Sequence, residues 1–77
     1  MTVYELAVSL PEDTRKMLAK AGVLAPNIER NIYVYELFQR CLKGGMPKME
    51  AYIEVGQKCF ISEDNLRKII RKMSEQL

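Results

Sequence analysis

The sequence predicts an all-α fold, a small four- to five-helix bundle, and three observations carry that expectation. Apolar residues recur at helical spacing through most of the 77 residues. Hydroxyl residues followed three positions later by an acid stand where two of these stripes begin. Gly22, Pro26, the Gly44-Gly45 pair and Pro47 fall between stripes. The expected core gathers Leu18, Ile32, Leu37, Phe38, Ile53, Leu66, Ile69 and Met73. Residues 1–77 form one helical domain, with N-terminal helices over 1–45 and a two-helix unit over 46–77.

Thr2 with Glu5 and Ser9 with Glu12 both have capping-box spacing, the second being the better box. Between them, residues 3–8 suit a short helix through Val3, Leu6, Ala7 and Leu10, or a strand through their β-branched start; helix is favoured. Leu10, Thr14, Met17, Leu18 and Ala21 then form an amphipathic stripe that predicts a helix over 10–21, closed by Gly22. After the connection Val23-Leu24-Ala25-Pro26 comes the longest helix, with Ile28, Ile32, Tyr35, Leu37, Phe38, Cys41 and Leu42 as its apolar positions. Tyr33 and Val34 widen that arc, so the helix is expected to touch more than one neighbour. Tyr33 and Tyr35 cannot share a helical face, which leaves one of them exposed. Tyr4 and Tyr52 read as rim residues.

The Gly44-Gly45 joint leads into the stretch 47–73, two helices joined by a tight turn. Pro47 suits the opening of the first, whose apolar positions are Met49, Tyr52, Ile53, Gly56 and Cys59. Ser62 is placed to cap the second, with Glu63 and Asp64 favourably set against its positive end. Leu66, Ile69, Ile70, Met73 and Leu77 make its apolar stripe. Asn65, Arg67, Lys68, Arg71 and Lys72 fall on its outward arc.

Composition narrows the function classes. The 48% hydrophobic and 29% charged shares are those of a soluble globular chain. No apolar run approaches the roughly 18 residues of a membrane span, and the opening MTVYELAVSL has no basic leader, so no membrane association and a cytoplasmic location are expected. Cys41 and Cys59 lie in the stripes of separate helices and read as small core hydrophobes. The chain has no histidine, no Cys-x-x-Cys, no Gly-rich phosphate loop and no nucleophile elbow. An enzyme is therefore not expected, nor a metal, a cofactor or a small-molecule substrate.

Five basic residues balance five acids up to Leu42, whereas seven face five from Lys43 onward, giving the whole net charge of +2. That excess is modest for phosphate neutralisation. The stretch 47–73 nonetheless resembles a helix-turn-helix DNA-binding motif over about twenty residues. Gly56 stands for the small residue of the first helix, Phe60 for the turn, Ile61 for the apolar residue after it, Ser62 for the cap, and Leu66 and Ile69 for the inward positions. Phe60 departs from the glycine preferred at the turn, so either the turn is built differently or Phe60 is tolerated. The wording ISEDNLRKIIRKM is also similar to the end of Mor-type activators and other small regulators of phages and mobile elements.

The resemblance implies a sequence-specific binder of double-stranded DNA, a transcriptional regulator, with Asn65, Arg67, Lys68, Arg71 and Lys72 as the DNA-binding residues. It also implies a homodimer, since such proteins commonly set two recognition helices about 34–36 Å apart. Val3, Leu6 and the exposed tyrosine of the central helix are candidates for that contact. The alternative is a helical protein-protein interaction module, because basic residues toward a helix C-terminus suit the dipole of any bundle.

Overall fold

Helical hydrogen bonding closes over five stretches in the computed structural model, which describes residues 1–77: α1 (Val3–Ser9), α2 (Glu12–Lys20), α3 (Ile28–Lys43), α4 (Lys48–Cys59) and α5 (Glu63–Met73). The protein is an all-α bundle of five helices, and the ambiguous segment 3–8 is helical. Its first capping box forms as expected. The Thr2 hydroxyl accepts from the Glu5 N–H at 3.1 Å, and the Glu5 carboxylate accepts from the Thr2 N–H at 2.8 Å. Those bonds hold the Glu5 carboxyl below its usual range.

The second box does not form. Pro11, with ψ 151°, is the residue before α2, so Glu12 is already the first helical position and cannot reach back to Ser9. The Ser9 hydroxyl donates instead to the Leu6 carbonyl at 2.6 Å. Gly22 does close α2, at φ +81°, with the Val23 N–H reaching back to the Leu18 carbonyl at 2.9 Å. Pro47 likewise precedes α4 and does not open it.

The helix α3 is the hub, packing against α1, α4 and α5, while α5 also meets α4 and α1. Twelve apolar residues from α1, α3, α4 and α5 form the core, among them Phe38, Val34, Val55, Leu66 and Met73 with no more than 1% exposure. Tyr52 is buried and not on the rim, stacked on Phe38 with ring centroids 4.8 Å apart. Tyr33 is the exposed member of its pair. Tyr35 stacks on Tyr4 at 4.5 Å. Both cysteines are free and half-buried against the core.

Three expected core residues lie elsewhere. Ile53 is 50% exposed, because α4 turns Ala51, Tyr52 and Val55 inward and thereby rotates Ile53 and Met49 to the surface. Leu37 and Leu18 are half-buried, Leu37 at the edge of the α3 arc and Leu18 on a helix that contributes no buried residue.

That helix, α2, is fastened mainly by one side chain. Arg15 pairs with Glu29 of α3 through Nε at 2.7 Å and Nη2 at 3.2 Å. Its Nη1 donates to the Leu10 carbonyl at 2.7 Å and the Ala7 carbonyl at 3.3 Å, which satisfies the open end of α1. The guanidinium holds the Glu29 carboxyl below its usual range. The two ends of the chain also meet. Thr2 and Gln76 form an antiparallel bridge, flanked by bonds from the Val3 N–H to the Glu75 carbonyl at 3.0 Å and from the Leu77 N–H to the Met1 carbonyl at 2.9 Å.

Candidate nucleic-acid interface

The connection between α4 and α5 is three residues long, Phe60, Ile61 and Ser62, and its shape follows from two close approaches. Phe60 takes the left-handed conformation at φ 55°, and the N–H groups of Phe60 and Ile61 both return to the Gly56 carbonyl. This folds the chain back so far that a Cβ on Gly56 would stand 2.9 Å from the Ile61 carbonyl oxygen and 3.8 Å from Leu66 Cδ2. The small residue expected at position 56 is therefore required there, and it is chiefly the turn backbone that presses on Gly56. Ser62 then starts α5, its hydroxyl accepting from the Asn65 N–H at 3.4 Å.

Leu66, Ile69, Ile70 and Met73 fasten α5 to the core. At about 100° per residue, Asp64, Lys68 and Arg71 lie opposite that stripe. Neither Lys68 nor Arg71 has an acid within 4.0 Å. All five residues expected to bind DNA are exposed, but the fold does not hold them as one group. Lys68 and Arg71 share the outermost line. Asn65 and Lys72 sit on the flank toward α3, where Lys72 is within 3.5 Å of Glu75.

Arg67 sits on the opposite flank and is engaged inside the molecule. Its guanidinium lies 4.5 Å over the Tyr52 ring, one nitrogen is 3.0 Å from Glu63, and the same nitrogen is 3.7 Å from Met49 Sδ. It thereby covers the buried tyrosine and neutralises one of the two first-turn acids. Lys48 of α4 stands beside Arg67 and Arg71 on this side.

On the other flank the fold gathers residues that spacing along the sequence cannot bring together. Arg30 and Asn31, near the start of α3, line a cleft of about 530 Å³ with Phe60, Asn65, Lys68 and Lys72. Arg30 is an exposed cation more than thirty positions upstream of α5 and was not singled out by the sequence, because only the packing of α3 on α5 places it there. Asn31 is 8% exposed, and its Oδ1 has no hydrogen-bond partner. No group of three or more Cys, Asp or Glu is arranged to hold a metal ion, and no helix is long and apolar enough to cross a membrane. Comparison with protein-family models, curated proteins and solved structures returned no match.

Proposed function

We propose that this chain is a sequence-specific DNA-binding protein, a small transcriptional regulator of prokaryotic, phage or mobile-element type, in which α4, the three-residue turn and α5 act as a helix-turn-helix. The observation that carries the proposal is the two-sidedness of α5. One side is locked into the core by four buried apolar residues, and the opposite side presents Lys68 and Arg71 free of any internal partner. A rigid helix with unengaged cations on its outer line suits insertion into a major groove about 12 Å wide. Asp64 on the same line can accept from a cytosine amino group, whereas Glu63 is already occupied by Arg67.

Selection of bound sequences from random duplex DNA, followed by titration of variants, tests the proposal. Asn65→Ala and Lys68→Ala are expected to lose about 1–3 kcal/mol of discrimination at one base position, while Arg71→Ala and Lys72→Ala weaken all sequences alike and lower the salt slope. Arg67→Ala is expected to act partly through stability, since it uncovers Tyr52. Absence of any enriched duplex would overturn DNA binding. The binder is proposed to act as a homodimer joined through its N-terminal half, where Leu6, Val8 and Tyr33 are exposed and Val3 is half-buried.

One observation favours a second reading. Met49 and Ile53, one turn apart on α4, are exposed apolar side chains, and an interaction module would use such a pair to hold a protein partner. Nucleic acid that co-purifies and leaves at high salt supports the first reading; a stoichiometric protein partner indifferent to salt supports the second.

A further inference from the structure

Phe60 combines two unfavourable features. Its ring is 96% exposed, and its backbone stands at φ 55°, a conformation that bulky side chains adopt only under strain. Neither core packing nor turn geometry accounts for an aromatic residue there. Its neighbours do offer an account. Around the cleft beside it stand three cations, Arg30, Lys68 and Lys72, and three carboxamides, Asn27, Asn31 and Asn65, with no carboxylate in the lining. Asn31 is almost wholly buried and its unpaired carboxamide oxygen is closed off from solvent, so the exposed Asn27 and Asn65 are the carboxamides free to meet a base edge.

An aromatic face, carboxamides and cations are together the set that recognises a nucleotide. The ring stacks on the base, a carboxamide reads the base edge by donating and accepting at once, and the cations take the phosphate. A carboxamide pairs in this way with adenine and with an unpaired cytosine, each of which sets an amino donor beside a ring acceptor, and of the two adenine has the larger face for Phe60 to stack on. A base inside an intact duplex offers its faces only to its stacked neighbours, so the cleft fits a base out of the stack. Lys68 belongs both to this cleft and to the outermost line of α5, so a strand held by α5 passes the cleft.

We infer that the cleft between α3, the turn and α5 is a site for one unstacked nucleotide of a DNA strand, adenine preferred, with Phe60 as the stacking surface. The inference rests on the proposed DNA-binding function and deepens it. A strand is assigned as the source, and not a free nucleotide, because Arg30, Lys68 and Lys72 are spread along two helices and do not converge on one helix end.

The test compares three mixed-sequence duplexes at low salt, one fully paired, one with a single unpaired adenine and one with a single unpaired thymine. The adenine-bulged duplex is expected to bind the full chain about fivefold or more tighter than the paired one, with the thymine bulge between them. Phe60→Ala is expected to abolish that preference while leaving paired-duplex binding within about twofold, and Phe60→Trp to retain it. Because Phe60 packs against nothing in the core, both variants are expected to keep the helical content of the parent. Equal binding of all three duplexes, or a preference that survives Phe60→Ala, would overturn the nucleotide site while leaving the major-groove proposal standing. Bulge preference without paired-duplex binding would do the reverse, and no binding to any duplex removes both. Displacement of the bulged duplex by free dAMP would overturn the assignment to a strand.

Discussion

Gly56 and Phe60, four positions apart, each stand where a different residue is the ordinary choice. Glycine inside a helix costs about 0.5–1 kcal/mol relative to alanine, and an aromatic in the left-handed region is strained by an amount of the same order. For Gly56 the account is geometric, since the Ile61 carbonyl leaves no room for a methyl group. Gly56→Ala is therefore expected to destabilise the fold by about 1–3 kcal/mol despite the better helix propensity of alanine, as read from urea midpoints. Phe60→Gly should leave stability unchanged or raise it by up to about 1 kcal/mol, because the ring supports nothing and the strain is released. A large loss with Phe60→Gly would show that the ring is structural. The sequence singled out Gly56 as a small residue in register and Phe60 as a departure, but left open whether the turn is rebuilt or Phe60 is tolerated. A close approach can be expected from a small residue in register, whereas whether an aromatic at the turn is tolerated depends on whether its side chain meets solvent.

Among the elements, α2 stands apart. It buries no residue and is tied down chiefly through Arg15, so its opening is expected to be the easiest local transition in the molecule. Arg15→Ala should lower amide protection in α2 by about tenfold or more while leaving α3 and α5 unchanged. Equal loss of protection throughout would show that α2 is integral to the cooperative unit. Acid acts through the same tie. The Glu29 carboxyl is held below the ordinary value of 4.5, so its contribution is complete above that pH and disappears as pH falls through the lower folded-state value. Glu5 titrates with the same sign. Hydrogen exchange followed below pH 5 should find α2 released first, and Glu29→Gln should remove most of the pH dependence of that release. The Tyr4 phenol has the opposite sign. Its hydroxyl donates to Glu36 at 2.7 Å, which with burial and the nearby charge pushes its pKa up to about 12. That bond is kept through the ordinary tyrosine range and lost as pH rises through about 12. Four of the helices were legible in the sequence and α1 was the favoured of two readings, because stripes and the glycine joint are local signals. The inward face of α4 was not. Ile53 and Met49 count toward a hydrophobic stripe on paper, while in the fold Ala51, Tyr52 and Val55 together form the side that fits against α3. The cleft was equally hidden, since Arg30 reaches Lys68 and Lys72 only through tertiary packing.

For the molecule as a whole, a core of twelve apolar residues is small, and chains of this size gain roughly 3–5 kcal/mol from such a core. Association of two copies would add to that stability by mass action. The thermal midpoint is accordingly expected to rise with protein concentration if the proposed homodimer forms, and sedimentation should give a mass above the 8.9 kDa of one chain. A concentration-independent monomer by both measures would end the dimer proposal. The pairing of Met1, Thr2 and Val3 with Glu75, Gln76 and Leu77 bears on how the order of the helices relates to the fold. With the first and last residues already side by side, the chain is nearly a closed ring, and where that ring is cut matters less than which helices touch. A circular permutant that joins Leu77 to Met1 through a few glycines and opens between Gly44 and Gly45 keeps every contact of α3 with α1, α4 and α5. It should fold to the same helical content and melt within a few degrees of the parent. Its new ends would lie at the joint between α3 and α4, and α5 would become an internal helix joined through the linker to α1.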